Sequence, residues 1–265
     1  MDVSYSEHFP EYTLLEELGS GSYGIVYKVM DANNNVMAMK IPNGKSLRSD
    51  IEREIYFLNL LSDIPSFPRL IGTFERSVPT RYGSMYEGVV ILMEYISGTP
   101  IDRVRSFTQK RAREVIKDIS VTVLELHRRG ILHMDLQPRN IMITDTGDVR
   151  IIDLGVSCFL EGTSYPCSSI HPFGLTSRGM KDRDVLKLIT SFVAILRNTY
   201  PHDTNVARVN EYLVKQAWLL KTEERSQGLS AKRPRPSGTE ERDRNMLLED
   251  ILEQLFQLMD RYLND

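Results

Sequence analysis

Hydrophobic and polar positions alternate with a short, strand-like period through about the first 95 residues. Tyr12 to Leu18 reads as a strand that runs into a glycine-rich turn, and Ile25 to Met30 follows, rich in β-branched and aromatic residues. Asn33-Asn34-Asn35 is turn material, and Val36 to Ile41 is the next strand. Ser49 to Leu61 shows helical periodicity, and Ser49-Asp50-Ile51-Glu52 has capping-box spacing, with Glu52 placed to reach back to the cap. Leu70 to Phe74 and Val89 to Tyr95 are two further strands, joined by a polar segment containing Pro79, Gly83 and Gly88.

Beyond that point the period lengthens to that of helices. Thr108 to Arg129 carries Ala112, Val115, Ile116, Ile119, Val123 and Leu126 on one broad face, and Gly130 ends it. Two short strands, Asn140 to Ile143 and Val149 to Ile152, flank the turn Asp145-Thr146-Gly147-Asp148. Val185 to Leu196 and Asn205 to Lys221 read as helices. Lys221 to Asn245, charged and rich in Ser, Gly and Pro, reads as a flexible loop, and Met246 to Leu263 as an amphipathic helix able to contact a partner helix. A length of 265 residues suits one two-lobed domain.

Composition narrows the function classes. Apolar residues make up 41% and charged residues 26%, with a net charge of −3, so no global field favours nucleic acid or an anionic membrane as partner. No basic n-region followed by an apolar stretch opens the chain, and no run approaches the roughly 18 apolar residues of a spanning helix. The two cysteines, Cys158 and Cys167, fit reduced cytosolic thiols better than a disulfide framework.

Five local patterns carry chemistry. Gly19-Ser20-Gly21-Ser22-Tyr23-Gly24 lets backbone N–H groups approach phosphates. The residues after it, Ile25 to Val29, favour a strand, whereas a dinucleotide-binding turn opens a helix. Lys40 shares a strand face with Val36 and Ala38, and an ammonium on an apolar face needs a polar partner. Glu54 shares a helix face with Ile51, Leu58 and Leu61, so it is predicted to point inward and to need a cation, for which Lys40 is the candidate. His133-Met134-Asp135-Leu136-Gln137-Pro138-Arg139-Asn140 and Ile151-Ile152-Asp153-Leu154-Gly155 supply carboxylate and amide oxygens, and those of Asn140 and Asp153 suit Mg²⁺. Asp135, five residues before Asn140, is placed to accept a hydroxyl proton. Taken singly, each pattern is also compatible with a turn, a cap or core packing.

Together, and in this order, the five resemble the protein-kinase signature set over roughly residues 12 to 196. The resemblance implies an α+β fold with a strand-rich N-lobe of about residues 1–95, a helical C-lobe of about 96–265 and ATP between them. It implies that Gly19, Ser20, Gly21 and Gly24 cover the ATP phosphates, and that Lys40, braced by Glu54, holds the α- and β-phosphates. Asp135 is implied as the base, with Asn140 and Asp153 as the Mg²⁺ ligands. Glu94 and Ile96 are implied to bond adenine through their backbone, and Val26, Ala38 and Met142 to sandwich it. The expected activity is Ser/Thr-type transfer of the γ-phosphate to a protein hydroxyl, a class that Pro138 favours.

Departures from the family pattern keep two rivals open. Met134 stands where the catalytic loop usually has arginine, Gln137 where it has lysine, and Leu154 where phenylalanine precedes the glycine. Gly162-Thr163 is similar to the loop that holds an acceptor peptide, while the position of the usual A-P-E falls at His171-Pro172-Phe173. These features leave room for a catalytically weak scaffold, and for a small-molecule kinase of the aminoglycoside or choline type. Arg139 is a candidate to compensate for Gln137, and Arg150 or Arg178 to replace the missing loop arginine. Lys232-Arg233-Pro234-Arg235 reads as solvated loop charge. The compact pattern resembles divergent kinases of viruses or pathogens, which implies a cytoplasmic protein, in the host if so.

Overall fold

The computed structural model describes residues 5–21, 24–43, 48–80, 84–162, 164–167, 177–199, 207–216 and 240–262. They fall into two compact units, the first made of Met1–Gly98 with Arg150–Gly155, the second of Thr99–Val149 with Val156–Asp265.

The first unit is built on a five-stranded antiparallel sheet of β1 (Tyr12–Ser20), β2 (Gly24–Asp31), β3 (Val36–Pro42), β4 (Leu70–Pro79) and β5 (Met85–Glu94), in the order β1-β2-β3-β5-β4. Every strand read from the sequence in this region is present, and β4 and β5 extend further towards each other than their apolar cores suggested. The central strand β3 is buried along all but its first residue. Between β2 and β3, Asp31 accepts hydrogen bonds from the backbone of Asn33 and Asn35, which fixes the turn that Asn34 makes at φ 65°. Helix α1 (Arg48–Leu60) buries Ile51, Glu54, Phe57 and Leu58. The capping box is not formed. The helix already includes Ser49, and Glu52 instead pairs with Arg48 at 2.9 Å, an i, i+4 contact on the exposed side.

The second unit is mainly helical. Thr108 caps α2 (Gln109–Arg128) by accepting a hydrogen bond from the Arg111 N–H, and the buried face includes all six apolar residues expected of it. Short strands β7 (Ile131–Leu132) and β10 (Cys158–Phe159) pair with each other. Strand β6 (Gly98–Pro100) lies where the chain leaves the first unit, β8 (Ile141–Thr144) follows the turn Pro138–Asn140, and β9 (Val149–Ile151) leads the chain back into the first unit. Helix α3 (Ser177–Thr199) has 23 residues, longer than the apolar stretch Val185 to Leu196, and Asp184 is buried within it. Residues 207–216 form α4. Helix α5 (Glu240–Tyr262) begins six residues before the expected Met246, so the end of the presumed loop is helical. Its Leu248, Ile251, Leu252, Leu255 and Met259 are buried, and Asp260 pairs with Arg113 of α2, so the amphipathic face is covered by the chain itself. No helix among the described residues is long and apolar enough to cross a membrane. The basic cluster Lys232–Arg235 and the segment His171–Phe173 lie outside the described residues.

Candidate active site

In the first unit the sheet and α1 bring three charges together. Lys40 Nζ lies 2.6 Å from Glu54 Oε2, 2.8 Å from Glu54 Oε1 and 3.2 Å from Asp153 Oδ1. The side chains of Lys40 and Glu54 are 11% and 6% exposed, that of Asp153 39%. Burial works against the Lys40 ammonium, but the charges of Glu54 and then Asp153 outweigh it and raise its pKa above the ordinary lysine value. Burial pushes the Glu54 carboxyl up, and the Lys40 ammonium pulls against it. With both its oxygens on one ammonium, Glu54 acts as the fixed counter-ion of a permanently charged lysine.

Asp153 sits at φ 68°, an uncommon conformation for a residue with a side chain. Gly155 closes the turn against the triad. A Cβ there would come 3.4 Å from Asp153 Oδ1 and 3.4 Å from Glu54 Oε2, so a larger residue would crowd the carboxylates. At the glycine-rich turn the chain passes from strand to strand, with Gly19 opposite Val26 and Ser20 opposite Ile25. Gly21 N–H donates to the Gly24 carbonyl at 2.9 Å. A Cβ on Gly24 would meet the Ile41 carbonyl oxygen at 2.5 Å, so this position admits only glycine unless β3 moves. At the end of β5, the Glu94 carboxylate accepts from Arg150 at 2.8 Å and from the Arg69 N–H at 3.1 Å. Burial acts to raise its pKa, and these two bonds overcome that and hold the carboxyl below the usual carboxylate range.

In the second unit the loop after β7 folds around Asp135. Asp135 Oδ2 accepts from Gln137 Nε2 at 2.5 Å and from Asn140 Nδ2 at 2.7 Å. Asn140 Nδ2 also donates to the Asp135 carbonyl at 2.9 Å, which leaves the amide oxygen as its atom for a metal. The Asp135 N–H donates to His133 Nδ1 at 3.2 Å. Met134 adopts φ 66°. That strained geometry is held from below by Asp184, fully buried, which accepts from the Met134 N–H at 2.8 Å and the His133 N–H at 3.2 Å and contacts His127 Nε2 at 2.9 Å.

Residues 12–174, more than half of the chain, match the family model described as the protein kinase domain. The chain belongs to the protein kinase family. Among its relatives, calcium-dependent protein kinase 27 of Arabidopsis thaliana is 29% identical over 168 residues, which cover 57% of this chain and 33% of that protein. Mitogen-activated protein kinase kinase 7 of Arabidopsis thaliana is 32% identical over 164 residues, 58% of this chain and 50% of that protein. The MAP kinase-interacting serine/threonine-protein kinase mnk-1 of Caenorhabditis elegans is 32% identical over 175 residues, 62% of this chain and 23% of that protein. The matched part thus spans half or less of each of these relatives.

Within this kinase-family chain, each unit gathers its own share of the expected residues. The first holds Gly19, Ser20, Gly21, Gly24, Val26, Ala38, Lys40, Glu54, Glu94, Ile96 and Asp153, the second Asp135, Asn140 and Met142. The inward turn of Glu54 towards Lys40 is as the helix face predicted, and the glycine-rich turn joins two strands rather than opening a helix. Arg150, offered as a cation to replace the missing loop arginine, is committed to Glu94 and to the Phe67 carbonyl, the latter at 3.0 Å.

The reading of the cysteines is overturned, since Cys158 and Cys167 form a disulfide. Two cysteines in a long chain look unpaired in the sequence. In space, Phe159 N–H bonds the Tyr165 carbonyl at 3.0 Å, and the two Cα atoms lie 4.9 Å apart, inside the range a disulfide spans. The bridge is buried with Leu132, Met134 and Met180. Met134, standing in place of the usual arginine, therefore belongs to a hydrophobic cluster under the segment that follows Asp153-Leu154-Gly155. Sequence reasoning also missed that Asp184 holds the loop backbone and that Lys187 Nζ lies 4.0 Å from Asp135 Oδ1. A charged pair at i, i+3 in an otherwise apolar helical stretch was the available signal.

Proposed function

We propose that this chain is a serine/threonine-type protein kinase that transfers the γ-phosphate of Mg·ATP to a protein hydroxyl. The observation that carries the reading is the buried Lys40–Glu54 pair with Asp153 at its open end. A lysine held by a buried carboxylate offers a fixed positive charge to phosphate oxygens without reorganising when they arrive. Gly19, Ser20, Gly21 and Gly24 supply backbone that can approach phosphates closely. Glu94 and Ile96 offer backbone groups to adenine, and Val26, Ala38 and Met142 its apolar surroundings. Asp153 and Asn140 offer hard oxygen donors, the type Mg²⁺ prefers, and the partial exposure of Asp153 leaves it open to a metal. When bound, the metal neutralises charge on the phosphates.

Asp135 takes the acceptor's proton. Gln137 and Asn140 fix its Oδ2 edge and leave Oδ1 to face the hydroxyl. In the reaction the hydroxyl oxygen bonds to the γ-phosphorus, the bond to the β–γ bridging oxygen breaks, ADP departs, and the proton passes to Asp135.

A test uses the purified chain with radiolabelled Mg·ATP. Acceptors are the chain itself, a general protein substrate, and a panel of aminoglycosides and amino-alcohols, with Asp153→Asn as the matched control. The expected result is label on protein Ser or Thr that the control loses. Label on the small molecules alone would replace this reading with the small-molecule one. Mg·ATP binding without any transfer would replace it with a scaffold.

A further inference from the structure

Helix α3 lies beneath the catalytic loop in a strict register. Asp184 accepts the N–H groups of residues 133 and 134, and Ser191 Oγ donates to the Leu136 carbonyl at 2.9 Å. Asp184 and Ser191 are seven apart, two turns along one helix face. The residue between them on that face is Lys187, and its Nζ lies 4.0 Å from Asp135 Oδ1. The helix thus addresses loop residues 133, 134, 135 and 136 in turn, and the lysine meets the catalytic aspartate. Both neighbours on this face are fully buried, whereas the Lys187 side chain is 38% exposed and that of Asp135 20%. The ammonium therefore reaches out from a rigid base beside the more open edge of the carboxylate.

That edge is the one Gln137 does not cover. Gln137 donates an amide N–H to Oδ2, so it orients Asp135 but brings no charge. We propose that Lys187 supplies, from helix α3, the positive charge that the catalytic loop lacks at Gln137, and contacts the transferring phosphoryl group on the Oδ1 side of Asp135. The inference rests on the kinase reading above. A lysine side chain has the reach and freedom to leave Asp135 Oδ1 for a phosphoryl oxygen as negative charge spreads over it, while Gln137 and Asn140 keep the carboxylate in place. The gain falls in the transition state, so it belongs in kcat rather than in KM for ATP.

The experiment compares wild type, Lys187→Met, Lys187→Arg, Gln137→Lys and the double variant Lys187→Met with Gln137→Lys, by steady-state kinetics on one protein acceptor and by thermal melting. Loss of one transition-state donor predicts a fall in kcat of about 10²-fold for Lys187→Met, with KM for ATP within a few-fold. Lys187→Arg is expected to keep most of the rate. Gln137→Lys is expected to restore much of it in the Lys187→Met background and to give no gain in wild type, where it brings a second ammonium to one site and removes the amide that holds Asp135 Oδ2. A Lys187→Met protein that keeps wild-type kcat at wild-type melting temperature overturns the inference. So does a loss that Gln137→Lys fails to restore while the double variant melts normally, because that pattern marks Lys187 as a structural contact. If Lys187→Met melts early, the Arg variant decides, since a phosphoryl contact survives that change with its rate and a packing contact does not. A wild type that binds Mg·ATP but phosphorylates nothing removes the parent reading and this one together.

Discussion

The two units hold their key carboxylates by opposite means. Around Lys40 the solution is charge, one ammonium shared by the buried Glu54, where little water screens it, and by the more exposed Asp153. Around Asp135 the direct hydrogen bonds are neutral, two side-chain amides on one oxygen, with the Lys187 ammonium only at 4.0 Å from the other, the loop backbone tied down by Asp184 and the following segment by a disulfide. A buried ion pair is costly to break because either partner alone is left desolvated. An amide cage is cheaper to disturb, but it holds the carboxylate without neutralising it, which suits a base. The first unit keeps the family's charges where the family has them. The second has departed from the pattern, with Met134 and Gln137 in the loop and Lys187 below it.

The sharpest way to break the contrast is Lys40→Met. It leaves Glu54 buried without its cation and beside Asp153, so the protein is expected to lose about 3 kcal/mol of stability, at the low end for a broken buried pair. Turnover is expected to fall by at least about 10²-fold, since the same residue is the proposed phosphate contact. Denaturant midpoints and initial rates read the two effects separately. An unchanged midpoint would mean that the pair is not what holds α1 to the sheet.

The counterpart in the second unit is the Cys158–Cys167 bridge. Replacing both cysteines by serine opens a short loop, and the chain-entropy model gives a loss of roughly 2–3 kcal/mol for loops of this size. The initial rate of phosphatase-treated protein is expected to be unaffected by the absence of phosphate, because Met134 packs on the bridge and offers no cation for a phosphate to order. A lag abolished by prior phosphorylation would show that a cation elsewhere does that work. Equal melting temperatures for the serine variant and wild type would show that the hydrophobic cluster holds the segment without the covalent link.

These contrasts also mark what the sequence could and could not disclose. Glu54 was legible because burial imposes a period, and a carboxylate in phase with Ile51, Leu58 and Leu61 has to find a cation. Asp153, Asn140 and Asp135 were picked out as candidates by the order of the signature, not by any local pattern of their own. Local rules misplaced the start of α1, since Ser49-x-x-Glu52 is only a capping box if the helix begins there, and Arg48 extends it by a turn's edge. The disulfide and the contact of Lys187 with Asp135 were not legible for a different reason. Both depend on tertiary proximity, one across a loop closure that no strand pattern announced, the other across the separation of 52 residues from Asp135 to Lys187. Periodicity reports which face is buried, not which loop lies on it.

The smallest expected effect tests whether charge in the first unit matters away from the buried triad. The Glu94 carboxyl is held below its ordinary pKa of 4.5 despite partial burial, by Arg150 and by the Arg69 N–H. A carboxylate with a depressed folded pKa adds stability that is fully present above its unfolded pKa and is lost as pH falls through the folded value. Wild type is therefore expected to lose this contribution as pH drops from about 5 into the acid range. Arg150→Met removes the strongest of the favourable contacts, so its stability should depend less steeply on pH there. The pair is partly exposed, and its share near neutrality is expected to be about 1 kcal/mol or less. Arg150 also donates to the Phe67 carbonyl, a bond indifferent to acid in this range. The gap between the two proteins should thus narrow on acidification without closing. Parallel stability curves for the two would assign the whole effect of Arg150 to Phe67 and leave Glu94 without an electrostatic role in the fold.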